Sequence, residues 1–271
     1  MSRPVAAGLL ASLVCAAVLG CGGGEVLRST HYPNGRKWSE IRYRSGLPEG
    51  TWTTWYENGQ KRTEGVFRRG RQHGPWTSWR EDGVVLSQRG FRDGVPHGPW
   101  ERRFLNGALE ERGQYVDGRR EGEWVEGREN GELSGRGPYR AGKRHGAFTL
   151  YNPDGSLSRE FTFADDLLEG PARHYDEQGR LVAEGEYRAG KRTGTWLHYH
   201  PNGRLAMELA FEDGLSHGPQ RTWYPDGSPQ AVGEFHRGER HGEWTAWGPG
   251  GEVLPAESGR WERGVKLPPG E

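Results

Sequence analysis

Aromatic side chains return along this chain with a period of 24. One row runs Tyr43, Phe67, Phe91, Tyr115, Tyr139, Phe163, Tyr187, Phe211 and Phe235. A second row stands nine positions further on: Trp52, Trp76, Trp100, Trp124, Phe148, Ala172, Trp196, Gln220 and Trp244. Around these rings polar and apolar positions alternate in short runs, the pattern of half-exposed strands. In the unit 179–203, the stretches 180–188 and 195–200 read as two strands. The glycine-bracketed segment 189–194 reads as the turn between them. Two strands and two turns fill 24 residues, which leaves no room for a helix.

Glycine punctuates the same beat. Gly50, Gly74, Gly98, Gly122, Gly146, Gly170, Gly194, Gly218 and Gly242 form one series, expected at the far side of each hairpin turn. Gly35, Gly59, Gly83, Gly107, Gly131, Gly155, Gly179, Gly203, Gly227 and Gly251 form another. It closes tight turns such as Pro201-Asn202-Gly203 and Pro225-Asp226-Gly227. Two series locked in phase mean a stack of like units. The expected fold is therefore all-β: an elongated, single-layer antiparallel meander of stacked β-hairpins, about nine to ten copies long. Folding about the turn is expected to set the two rings of each pair opposite one another on one face. The resulting aromatic ladder includes Tyr43, Trp52, Phe67, Trp76, Phe91, Trp100, Tyr187, Trp196, Phe235 and Trp244. A further row, Trp55, Trp79, Tyr151, Tyr175, Tyr199, Trp223 and Trp247, lies three residues on. Odd spacing assigns it to the opposite face unless a bulge intervenes.

Composition agrees with a thin structure. Hydrophobic residues make up 32% of the 271, glycine numbers 45 and mean hydropathy is −0.94, so one thick core is not expected. Twelve Trp, ten Tyr and eight Phe are more ring area than a disordered chain carries. Equal numbers of basic and acidic residues, 37 each, exclude the charge surplus on which nucleic-acid binding rests.

The first 21 residues are a separate element. Arg3 precedes an apolar run over 5–19, too short to span a bilayer as a helix and proportioned like a secretory signal. It ends in Val18-Leu19-Gly20-Cys21, which resembles a bacterial lipobox. The resemblance implies that Cys21 is the lipid attachment site and first mature residue. The expected organisation is a signal peptide over 1–20, a lipidated tether over 21–30, the repeat array over 31–264 and a tail over 265–271. The protein is then exported and anchored to a bacterial membrane, on the outer membrane or the periplasmic face. No cysteine follows Cys21, so the array is expected to stand without disulfides.

Units such as Tyr187-Arg-Ala-Gly190-Lys-Arg-Thr-Gly194-Thr-Trp196 and Phe235-His-Arg-Gly238-Glu-Arg-His-Gly242-Glu-Trp244 resemble the MORN-repeat variant. This variant is also found in bacterial repeat proteins of antitoxin-like type. The resemblance spans about 30–264. It implies stacked hairpins used for contact with proteins or membrane surfaces, with no catalytic residues to carry over. The beat falters at Gly127, Asp166, Ala172 and Gln220, the places where a partner is first sought. The turn glycines also come in two kinds: Arg or Lys stands within two positions after Gly70, Gly118, Gly142, Gly190 and Gly238, Leu or Val follows Gly46, Gly94, Asp166 and Gly214, and the kinds alternate apart from one slip between Gly118 and Gly142. Growth by duplication of two-hairpin blocks would leave this mark.

Candidate chemistry dissolves into the repeat. Gly185-Glu-Tyr-Arg-Ala-Gly190-Lys191-Arg192 nearly spells a phosphate loop, but Arg stands for Ser or Thr and no helix follows. His73, His97, His145, His217 and His241 recur two strands apart, too far to share one metal ion. No enzyme, cofactor or metal is expected. The leading expectation is a lipid-anchored envelope scaffold that binds another protein. The alternatives are an immunity-type protein that covers a toxin, and a cell-wall carbohydrate-binding module using Trp55, Trp79, Trp223 and Trp247.

Overall fold

The computed structural model describes residues 24–268, so the expectations on the signal peptide and on Cys21 lie outside the described residues. Those residues form 22 strands and no helix. The chain divides into two units at Gly131/Glu132. The first contains β1 (Glu25–His31), β2 (Lys37–Arg44), β3 (Leu47–Trp55), β4 (Lys61–Arg68), β5 (Arg71–Trp79), β6 (Val85–Arg92), β7 (Val95–Arg103), β8 (Leu109–Val116) and β9 (Arg119–Gly127). The second begins with β10 (Leu133–Arg140), β11 (Lys143–Arg144), β12 (Gly146–Tyr151), β13 (Leu157–Ala164), β14 (Leu167–Tyr175), β15 (Leu181–Arg188) and β16 (Lys191–Tyr199). It continues with β17 (Leu205–Glu212), β18 (Leu215–Trp223), β19 (Pro229–His236), β20 (Glu239–Ala246), β21 (Gly259–Glu262) and β22 (Val265–Lys266). Within each unit successive strands pair antiparallel, as the meander requires.

Strand structure outruns the expected array at both ends. Glu25–His31 was expected to belong mostly to the tether, yet it pairs with β2 in register from Glu25↔Arg44 to Thr30↔Ser39. The tail expected from 265 begins with β22, which pairs with β21 through Trp261↔Lys266. Trp261 sits opposite Gly242, the place Phe235 takes opposite Gly218. A loop after β20 thus restores the beat two residues late.

The two turn types differ from one reading of the glycines. Between β15 and β16 the loop is two residues long, Ala189 (φ 48°) and Gly190 (φ 79°), with Arg188 opposite Lys191. Positive φ at both central residues is a type I′ turn, whose twist matches the strands. Gly194 and its equivalents from Gly50 to Gly242 are therefore not turn residues. They lie in or at the start of strands, all with positive φ, where the pairing slips by two residues. The bulge needs an αL residue, and glycine adopts it without strain. At the other edge Gly59 (φ 93°) ends a tight turn closed by Gly59 N–H to Tyr56 O at 2.9 Å and Tyr56 N–H to Gln60 O at 2.8 Å.

Candidate functional site

The rings of the two main rows share one face within each unit, and edge-to-face contacts link them. Phe67 meets Trp76 at 5.1 Å, Trp100 meets Tyr115 at 4.8 Å, and Tyr115 meets Trp124 at 5.1 Å. In the second unit Tyr187–Trp196 and Phe235–Trp244 lie 5.2 and 5.3 Å apart. Each such pair is worth about 0.5–1.5 kcal/mol beyond the area it buries. The expected opposition is not what sets these contacts, however. Phe67 stands opposite Gln72 and Tyr187 opposite Arg192; the rings of a pair meet diagonally because the bulge shifts one strand past the other.

A third glycine row explains how a thin sheet buries tryptophan. A Cβ on Gly65, Gly113, Gly185 or Gly233 would fall inside the ring of Trp76, Trp124, Trp196 or Trp244. Each indole lies flat on the backbone of the preceding strand, and all four are buried, Trp196 completely. Each also donates its Nε1–H to the carbonyl of the residue after its glycine: Val66 (3.2 Å), Gln114 (3.2 Å), Glu186 (3.1 Å) and Glu234 (3.1 Å). The bond satisfies the buried indole N–H at a backbone carbonyl, an acceptor that every repeat supplies. Arg120, Arg192 and Arg240 cover the outer ring faces at 4.1, 4.4 and 4.4 Å.

Gly137 plays the same part beneath Phe148. Four hairpins lack that glycine: Ile41, Arg89, Phe161 and Leu209 stand in its place, the last three directly opposite Trp100, Ala172 and Gln220. In those three the register slip moves one residue toward the tip, between Arg89 and Phe91, Phe161 and Phe163, and Leu209 and Phe211, whereas at Ile41 it stays where the glycine hairpins have it. The gaps expected at Ala172 and Gln220 are thus compensated by a larger neighbour. Phe161 carries the ring contacts onward to His174 (5.5 Å) and Tyr187 (6.4 Å), and Ala172 is buried. The four hairpins without that glycine are the four whose turn is followed by an apolar residue: Leu47, Val95, Leu167 and Leu215. The alternation in the sequence is therefore an alternation of the third glycine, and bulge position follows it in three of the four. Asp166 also keeps the fold: it takes the glycine's place with φ 74°, and its carboxylate accepts from Arg144 N and Nε, both at 3.1 Å. The backbone bond and the Arg144 side chain hold that carboxyl below the usual carboxylate range. Gly127 closes β9 without a ring.

In the first unit the aromatic face carries charge. Glu111 accepts from Trp100 Nε1 and Arg120 Nη2, both at 2.9 Å; Arg120 also reaches Glu126 at 2.8 Å, and Arg102 reaches Glu110 at 2.5 Å. Arg89 lies over the Trp100 ring at 5.6 Å, and its Nε is buried with no hydrogen-bond partner. Burial, and then the nearby Arg102, push its pKa down.

In the second unit histidines stand at two of the positions equivalent to Arg102. His174 and His198 are half-buried, and burial is the first cause that lowers both pKa values. On the opposite face Tyr175 and Tyr199 donate to Glu160 (2.8 Å) and Glu184 (2.7 Å), consistent with their odd spacing. Burial and then the Glu184 contact raise Tyr199 to about 12. The recurring histidines mostly serve the tips: His73, His97 and His145 each approach the aspartate of the next tip at 3.3 Å. Among the described residues no group of three or more His, Cys, Asp or Glu is placed to hold a metal ion.

Comparison with known proteins agrees with the repeat. The MORN repeat variant matches at two segments, 48–68 and 192–213. No curated protein matches the chain. Among solved structures, the crystal structure of TcdB2-TccC3 aligns at 11% identity and a TM-score of 0.20, covering 89% of this chain and 18% of that one. A protein of unknown function from Bacteroides fragilis aligns at 10% identity and a TM-score of 0.12, covering 71% and 96%. The chain thus spans under a fifth of the first structure's length, and likenesses with such TM-scores carry no argument.

Proposed function

We propose that this chain is a non-catalytic scaffold that binds another protein through its repeat array, exported and held at a bacterial membrane by a lipid on Cys21. The observation that supports binding is the aromatic face, on which rings, arginines and carboxylates are presented at a fixed repeat spacing and no catalytic constellation stands out. Aromatic residues and arginine are the side chains that dominate protein–protein contacts. The export half of the reading rests on residues 1–21 of the sequence. Crosslinking the lipidated protein in its native cell, followed by mass spectrometry, tests the scaffold. A recurrent protein partner is expected, and recovery of glycan alone would overturn it. Cys21→Ser is expected to abolish lipid labelling and release the protein from membranes; retention of the unlabelled variant would overturn the anchor.

A further inference from the structure

Among the described residues, two cations near Trp100 on the first unit's aromatic face are paired. Arg102 and Arg120 each hold carboxylates, Glu110 and Glu111 for the one, Glu111 and Glu126 for the other. Arg89 has none. It occupies a position that is glycine in the neighbouring hairpins, so the repeat does not need a side chain there. Its guanidinium is half-buried, its Nε–H is buried without an acceptor, and its nearest charged influence is another arginine. Glu111 already bonds the Trp100 indole and cannot turn to Arg89 without losing that bond. A carboxylate brought by another chain would pair a charge that this chain leaves without one.

We propose that Arg89, backed by the Trp100 ring, is a recognition site for a carboxylate presented by a protein partner: an aspartate or glutamate side chain laid against this face. The planar guanidinium matches a carboxylate with two parallel hydrogen bonds, and the ring behind it holds the fork in place. The proposal rests on the scaffold reading, since it names the chemistry that the partner offers.

Arg89→Leu separates the site from the fold, because Leu209 stands at the equivalent position in β17–β18, whose register slip falls at the same place. The probe is a displayed library of terminally blocked peptides with a fixed central Glu, selected on the full chain, each binder remade with Gln at that position. Binders are expected to weaken about tenfold or more with Gln, and by a similar factor on Arg89→Leu, as loss of a charge-assisted pair requires. Arg89→Lys is expected to recover only part of the affinity, since it keeps the charge and loses the fork. Binders indifferent to both changes would overturn the carboxylate site and leave the scaffold reading standing. Failure of the library to yield any Glu-dependent binder would overturn the site as well. Competition by free acetate or inorganic phosphate at concentrations that leave the Gln peptides unaffected would reassign the site to a small anion.

Discussion

Hairpins β13–β14 and β15–β16 of the second unit solve one packing problem in opposite ways. In β15–β16 the first strand gives up its side chain at Gly185, and Trp196 lies on the bare backbone. In β13–β14 the first strand supplies Phe161 and the second gives up its ring at Ala172. Both arrangements leave the second-strand residue buried, Trp196 in one and Ala172 in the other. His174 touches Phe161 at 5.5 Å and Trp196 at 5.9 Å, wedged between the two solutions. What these two hairpins share is one large and one small residue at the two facing positions, with the places exchanged. The bulge differs with that choice: it falls at the glycine in one hairpin and one residue nearer the tip in the other.

The largest effect expected is from Trp196→Ala. It opens a cavity over Gly185 and removes the indole bond to the Glu186 carbonyl, at a cost of about 3–5 kcal/mol in denaturant unfolding. The same truncation in β13–β14, Ala172→Gly, should be far milder. Next in size is Gly185→Ala, expected to cost about 1–3 kcal/mol by overpacking against the Trp196 ring, with no change in charge or hydrogen bonding.

The sharpest form of the comparison is the exchange itself. Phe161→Gly alone opens a void, and Ala172→Trp alone overfills one, so both singles should destabilise. The double variant copies β15–β16 and should recover most of the loss, with a coupling energy of about 1–3 kcal/mol in a double-mutant cycle. Strict additivity would break the volume account.

Acid probes the wedge. Folding holds His174 and His198 below the usual histidine pKa, so between that lowered value and about 6.5 the folded chain binds fewer protons than the unfolded one. Their contribution is intact above that window and is lost as pH falls through it. His174→Leu with His198→Leu should flatten the stability profile there. A further fall, as pH drops through the lowered carboxyl values, belongs to Asp82, held at about 2 by Arg80, and to Asp166.

Much of the fold is legible in the residues. The 24-residue beat gives strands, hairpins and two kinds of tip because tight turns demand particular residue types at fixed places. The third glycine row was harder to see. It holds in five hairpins, at Gly65, Gly113, Gly137, Gly185 and Gly233, and its meaning depends on a ring eleven residues away. Bulge position is likewise a contest between a Cβ and a ring across the strand, and no single stretch of sequence states the outcome. The glycines of the 50-to-242 series looked like turn residues for the same reason: their regular spacing shows that φ is special, without showing whether a turn or a bulge requires it. At the candidate site, the aromatic rows could be read directly. The isolation of Arg89 could not, because it depends on which carboxylates Arg102 and Arg120 have already claimed.

The tips of the hairpins give the array a direction. Gly70 N–H donates to Pro48 O, Gly94 to Gln72, Gly190 to Leu168, Gly214 to Arg192 and Gly238 to Ser216, each bond pointing back to the hairpin before it. A chain emerging from the ribosome therefore presents every new tip to an acceptor that has already been made. Loss of a leading hairpin would leave a bare amide at the next tip, whereas loss of a trailing one leaves only a carbonyl facing water, the more easily hydrated end of the pair. Assembly should run from the amino terminus, with each folded unit acting as the template against which its successor closes.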